Sequence, residues 1–317
     1  MPKRDITAQQ RARRWHDGLA AVNAATAANK IPGILAVHGK KLDLDMVAYG
    51  GLRDTSTVDA AVFAVINGGD DYETRDALAL VFEPILCLRA AAEHAVDAVN
   101  SVEGADKLGA LSVYAPMLGI DLTDYNRLSA GGKDNVHDTV FAGIPYADEV
   151  AVKVAVENAV AIELTAEAVA AVNDAASADE MSAALLEYAD ILDIDVDEGS
   201  DYAALEAAGK ATVIGAVLSG RPGDPGYTDA AAVKTAFDAA VATALEAQAV
   251  AAVNAADADT MGAVLAQYAV PLTLDLTAYS ALDETKKGNV HTALVGKSFA
   301  DAAAVKTAFD AAVAAQA

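Results

Sequence analysis

The chain has 317 residues, a formal net charge of −24, and 54% hydrophobic but only 5% aromatic residues. An acidic body of this kind repels nucleic acid and anionic membrane surfaces. Its single cysteine, Cys87, excludes an internal disulfide framework and a multi-cysteine zinc site. Much of the apolar content is alanine, a strong helix former and a poor core filler, so helices with thin, local cores are expected.

The opening stretch, MPKRDITAQQRARRWHDG, is basic and lacks the apolar run of a signal peptide. Residues 1–14 hold Lys3, Arg4, Arg11, Arg13 and Arg14 against Asp5 alone, a net +4 that leaves −28 for the rest. Thr7 is positioned to cap a helix in which Ala12, Trp15, Leu19 and Val22 share one face. The positive charge reads as a segment that docks on an acidic partner, with Trp15 as its aromatic anchor. The competing reading is a solvated, frayed terminus.

Beyond this arm the chain repeats itself. DAAAVKTAFDAAVA stands at 229–242 and, unchanged, at 301–314. Four Val-Asn dipeptides, ending at Asn23, Asn100, Asn173 and Asn254, mark a unit whose successive asparagines lie 77, 73 and 81 residues apart. Asparagine suits a helix end because it tolerates the left-handed conformation. After each comes a helical run and then a branched–Asp–branched step, at 42–44, 120–122, 194–196 and 274–276. Tyr-x-x-Leu follows, at Tyr49, Tyr125, Tyr202 and Tyr279. A second helical run leads to an aromatic residue (Tyr72, Tyr146, Tyr227, Phe299) that opens an Ala-rich helix. All ten tyrosines fall in three slots per unit, with His38 and Phe299 filling the other two of twelve. A residue placed once per unit is there to pack it, its hydroxyl at a boundary.

Ser177 and Glu180 have capping-box spacing, and Asp229, Asp257, Asp283 and Asp301 sit at first-turn positions. Val233, Phe237 and Val241 recur four apart, as do Val305, Phe309 and Val313, giving one apolar stripe. From the third aromatic to the next asparagine is 28, 27 and 27 residues, a constancy expected of helix and not of loop. Residues 229–253 contain no Gly or Pro, so one helix of about 38 Å is expected to join two units. Pro84 should kink or break its first counterpart, and Thr165 is a candidate restart in the second.

The expected fold is all-α, with four tandem helical repeats of about 75 residues forming an elongated array. The divisions are a basic arm at 1–16, a divergent first repeat at 17–92, and further repeats at 93–165, 166–246 and 247–317. The first repeat departs through Ile31-Pro32-Gly33 and the apolar FEPILCL at 82–88, and reads as an attachment end.

No stretch carries recognisable catalytic chemistry. Gly131-Gly132-Lys133-Asp134 lacks the full phosphate-loop spacing, and Lys210 and Lys287 recur at the position of Lys133, as surface lysines would. The acidic run Asp193, Asp195, Asp197, Glu198 lacks the glycine turn and ligand spacing of a calcium loop. His137 and His291 share a repeat position with Ile214, which marks a packing slot. Cys87, in an apolar run, reads as a buried small hydrophobe. The chain is therefore expected not to be an enzyme, with no catalytic, cofactor or metal residues. The candidate partner-binding residues are Lys3, Arg4, Arg11, Arg13, Arg14 and Trp15.

The unit running from AVN through LDLTxYxxL to DAAAVKTAFDAAVAA resembles an Ala-rich tandem helical repeat. Such repeats occur in surface proteins of Gram-positive bacteria and in structural proteins of tailed bacteriophages. The resemblance is best over 165–317 and weaker over 93–164. It implies spacing, display or attachment. A secreted surface protein would need an export signal, whereas a virion protein assembles inside its host. The expectation is a virion component made in the host cytoplasm: a head fibre, decoration or neck/tail accessory. It would bind capsid, neck or tail proteins through its N-terminal part, with self-association open and neither nucleic acid nor membrane as partner. The alternatives are a cytoplasmic helical-repeat adaptor, which would bind a protein in grooves between helices, and an acidic DNA-mimic inhibitor.

Overall fold

The computed structural model describes residues 8–101 and 107–316, with side chains at 15–101 and 109–316. The described residues form sixteen α-helices and one 3-10 turn, and no strand occurs among them. The protein is all-α. It divides into two compact units, residues 1–163 and 164–317.

The first unit begins with α1 (Ala8–Asn23), the 3-10 turn Ala28–Lys30, α2 (Ile31–His38), α3 (Met46–Gly51) and α4 (Ser56–Asn67). It continues through α5 (Arg75–Ser101), α6 (Lys107–Leu118), α7 (Thr123–Arg127), α8 (Ala130–Ala142) and the first part of α9 (Glu149–Asp174). The second unit takes the end of α9, then α10 (Ala178–Glu187), α11 (Ala207–Ser219), α12 (Ala230–Ala255) and α13 (Met261–Gln267). It closes with α14 (Thr277–Ser280), α15 (Glu284–Leu294) and α16 (Ala302–Ala314).

Three helices, α5, α9 and α12, run 27, 26 and 26 residues and end at or within two residues of a Val-Asn asparagine. In α12 the first half (Val233, Phe237, Val241, Leu245) lies in one core cluster and the second half (Ala249, Val250, Val253) in the next. A single rigid helix thus belongs to two cores. This accounts for the matching 27-residue spacing of α9 and α12, since one inserted residue rotates every later side chain by about 100°; α5 carries one residue more between Phe82 and Asn100 and remains one helix. Pro84 does not break α5, which continues for seventeen residues past it. Its ring removes only the bond to the Leu80 carbonyl, and both residues lie on the exposed face. Thr165 restarts nothing; it lies mid-helix in α9.

Capping follows the sequence closely. Ser177 and Glu180 form a reciprocal box at α10, and Asp229, Asp283 and Asp301 accept the third-residue N–H of α12, α15 and α16. Asp257 accepts both the N–H and the hydroxyl of Thr260 before α13 begins. In the segment 221–226, Arg221 donates to the carbonyls of Val172, Asn173 and Ala175, closing the C-terminal end of α9.

The step after the first helical run differs from the sequence expectation in one register. Asp43, Gly119, Asp193 and Thr273 hold φ of 60°, 63°, 54° and 52°. The next residue in each case (Leu44, Ile120, Ile194, Leu274) donates its N–H five residues back, at 2.8–3.1 Å. This is the Schellman closure of a helix, with an apolar residue following the left-handed one. The aspartate after that closure then accepts the N–H two residues on: Asp45 from Val47, Asp121 from Thr123, Asp195 from Asp197, Asp275 from Thr277. The counterpart of Asp121 in the first segment is therefore Asp45. The 42–44 match is two residues early, because Leu-Asp-Leu-Asp fits either frame.

Candidate functional site

Four side chains tie distant parts of the chain together in the same way. Asn23, Asn100, Asn173 and Asn254 each accept the main-chain N–H of the third aromatic (Tyr72, Tyr146, Tyr227, Phe299) and donate to its carbonyl. The eight bonds span 2.7–3.1 Å. The asparagines do not adopt left-handed backbone. Their amide is used instead as a two-pronged clamp, which a carboxylate or aliphatic side chain cannot supply.

The aromatics close each core. Tyr49, Tyr125, Tyr202 and Tyr279 are all buried, and three of them contact a helical phenylalanine: Tyr49 meets Phe82 of α5, Tyr202 meets Phe237 of α12 and Tyr279 meets Phe309 of α16. The second segment carries Val156 there, and Tyr125 lies against His137. The hydroxyls of Tyr72, Tyr146 and Tyr227 donate to the carbonyls of Val62, Val140 and Val217. Three residues before those valines are Asp59, His137 and Ile214. The Tyr49 hydroxyl donates to Asp59 at 2.6 Å, and those of Tyr125 and Tyr279 meet Nε2 of His137 and His291 at 2.8 and 2.6 Å. His291 also bonds the Ala258 carbonyl through Nδ1. The slot packs, as expected, and its polar occupants additionally take the tyrosine hydroxyl. Asp59 does not stand out in the sequence as the occupant of this slot, since the Tyr49–Asp59 separation is two residues shorter than its counterparts.

Burial, and for Tyr49 also the Asp59 bond, raises the phenols of Tyr49, Tyr125, Tyr146, Tyr202, Tyr227 and Tyr279. Burial raises that of Tyr72 to about 12. These are structural hydroxyls, not poised acids.

The lysine positions also serve packing. Gly131, Gly132 and Lys133 form the first turn of α8, with Ser129 accepting the Gly132 N–H. Lys133 and Lys210 sit 5.7 and 5.5 Å over the rings of Tyr125 and Tyr202. In the acidic run, Asp193 is the left-handed helix-closing residue, its carbonyl accepting from Lys234.

Of the candidate partner-binding residues, Lys3 and Arg4 lie outside the described residues. Arg11, Arg13 and Arg14 belong to α1, but their side chains lie outside the described ones. Trp15 is half-buried and packs against the core of the first unit, together with the buried Leu19 and Val22. Cys87 is exposed, contrary to expectation. In FEPILCL the helix turns Phe82 and Leu86 into the core and leaves Pro84, Cys87 and Leu88 outside.

Exposed bulk is unevenly divided. Among the described residues, nine of eleven exposed large apolar side chains belong to the first unit, Leu80 (77%) and Leu88 (70%) among them. The first unit carries a formal −8 and the second −16. The second unit holds a half-open cleft of about 590 Å³ lined by Asp201, Glu246, Gln248, Tyr268, Val270 and Pro271 among others. Helix α12 is long and apolar enough to cross a membrane, but nine of its side chains are buried in the two cores it serves. No family model, curated protein or solved structure matches the chain.

Proposed function

We propose that the chain is a non-enzymatic structural protein of four tandem helical repeats, and that it is a bacteriophage virion component. On this reading the N-terminal part, 1–92, binds capsid, neck or tail proteins, and the acidic repeats of the C-terminal part project as an elongated array. The repeats are supported by the fourfold asparagine clamp and by four Schellman closures at matching positions. The observation that carries attachment is the asymmetry of the surface. Among the described residues, Val37, Val47, Leu80 and Leu88 are exposed within 1–92 and five more large apolar side chains within 93–163, while the second unit is the more acidic and exposes Leu186 and Val270. Contiguous exposed apolar surface marks interaction sites, whereas net charge keeps a projecting body soluble.

The test is deletion of residues 1–16 together with Trp15→Ala in the full chain, each scored for occupancy in purified particles. Loss of occupancy by folded variants supports the reading; wild-type occupancy of both makes the arm dispensable. Because Trp15 packs on the first core, each variant must first be checked for folding by circular dichroism. X-ray scattering tests the array, since a compact 317-residue chain has a radius of gyration of about 20 Å. The cleft beside Gln248 favours a second reading, a cytoplasmic adaptor that grips a protein partner there. Particle-free retention of a host protein, abolished by Val270→Glu, would support that instead.

A further inference from the structure

The third segment leaves open two places that arginines bridge in the first unit. Glu93 and Gln248 stand eleven residues after Phe82 and Phe237, and each accepts the main-chain N–H of the residue that follows Tyr-x-x-Leu. In the first segment that residue is Arg53, whose guanidinium bridges to Asp97, four residues beyond Glu93. The third segment has Glu206 in place of Arg53 and Ala252 in place of Asp97. In the second segment Arg127, two residues after Tyr125, pairs at 3.4 Å with Asp124, one residue before it. The third segment keeps that aspartate as Asp201 and has Ala204 in place of the arginine. Both alanines line clefts. Ala204 lies with Asp201 and Glu246 in the cleft of about 590 Å³, and Ala252 lies with Glu206 in a second of about 430 Å³. Gln248 and Tyr268 line both. Neither lining contains a lysine or arginine, and among the described residues no hydrogen bond or ion pair engages the three carboxylates.

We propose that these clefts bind an arginine-bearing segment of a partner protein. One guanidinium pairs with Asp201, in the place that Arg127 fills beside Asp124, and a second pairs with Glu206. The walls suit that side chain. A carboxylate receives a guanidinium through two parallel N–H donors, a fork that lysine lacks. Tyr268, its hydroxyl accepting from Gln248 Nε2 at 3.3 Å, gives both clefts an aromatic wall on which a guanidinium can stack. Leu245, Pro271 and the 87%-exposed Val270 supply apolar surface for the methylene stem.

Charge selects the same partner. The second unit carries a formal −16, so a basic segment is drawn toward it and an acidic one repelled. The proposal rests on the second functional reading, in which a protein partner is gripped beside Gln248, and it names what that partner presents. The carboxylates are exposed, so each pair is screened by salt and the affinity for a short peptide is modest, at about 10–100 µM.

Fluorescence anisotropy with the full chain at about 150 mM salt tests it, using a labelled Gly-Arg-Ala-Arg-Gly peptide and its lysine and citrulline forms. The arginine form should bind, the lysine form at least about fivefold more weakly, and the citrulline form not at all up to about 1 mM. Asp201→Asn with Glu246→Gln should weaken the arginine peptide at least about tenfold. Ala204→Arg, which copies the second segment and pairs Asp201 within the chain, should do the same. Glu198→Gln with Asp259→Asn removes the same charge from exposed positions outside both clefts and should stay within about twofold. Equal weakening by the two double variants, or equal affinity for the lysine form, would reduce the effect to the general pull of an acidic body and overturn the proposal. Absence of binding at about 1 mM would overturn it as well. If deletion of residues 1–16 tightens the peptide about tenfold or more, the occupant is the chain's own basic arm, which overturns the assignment to a partner. Retention of a host protein that Val270→Glu releases, without arginine-peptide binding, would keep the adaptor reading and remove guanidinium recognition. Peptide binding without such retention would support the site and count against the adaptor.

Discussion

Replacing Asn254 tests the clamp most sharply. Its Oδ1 accepts the Phe299 N–H at 2.8 Å and its Nδ2 donates to the Phe299 carbonyl at 3.0 Å, across 45 residues. Asn254→Ala deletes both bonds and leaves two half-buried main-chain groups to find water. Each such group costs about 1–3 kcal/mol when fully sealed and less where solvent reaches it. Alanine returns about 0.6 kcal/mol through helix propensity, since residue 254 lies in the last turn of α12. The net expectation is a loss of about 2 kcal/mol, or roughly 4–8 °C in the melting of a unit of this size. Asn254→Asp is the discriminating variant. It keeps an acceptor for the N–H but turns a carboxylate oxygen toward the Phe299 carbonyl, so at pH 7 it should lose at least as much as alanine. Below about pH 4 the protonated acid can donate, and part of the loss should return relative to wild type at the same pH. Thermal unfolding followed by circular dichroism at pH 7 and pH 3.5 reads both effects. If Asn254→Asp lies within about 0.5 kcal/mol of wild type at pH 7, the donated bond is immaterial and the clamp argument fails.

Gly226 stands at φ 90° with the Asn173 amide only 2.4 Å from where a Cβ would be, so Gly226→Ala should cost about 2 kcal/mol or more in chemical denaturation. At the helix-closing position the sign should depend on the resident: Thr273→Gly should raise the unfolding midpoint, by about 1 kcal/mol, and Gly119→Ala should lower it by a similar amount. Asp59→Ala removes the acceptor of the Tyr49 hydroxyl and opens a buried gap, for a loss of about 2–3 kcal/mol. His291→Ile, which copies the third segment, fills its space with apolar volume and should cost less, about 1 kcal/mol in the same assay. Seven phenols have raised folded values, so their stabilisation is complete below the unfolded value near pH 10 and is lost as pH rises through the folded ones. Stability should accordingly fall between pH 10 and 12, with tyrosinate absorbance appearing together with unfolding; ionisation of all ten tyrosines without loss of helix would contradict it.

The all-α fold, the caps and the long joining helix were legible because they rest on local chemistry. An Asp before a run of alanines caps that run wherever it folds, and 25 residues without Gly or Pro stay helical. Repetition added a further constraint, since a position occupied by Tyr four times is a core position. Tertiary structure decided what those positions do. The asparagines look like helix terminators in one dimension, and only folding brings Tyr72, 49 residues away, against the Asn23 amide. Asp59 passes for a surface acid until α4 presents it to Tyr49. Which half of FEPILCL is core depends on helical phase, and that phase is set by Phe82 docking on Tyr49. Cys87 is exposed for the same reason: an apolar run on a helix has two sides, and the core can cover only one.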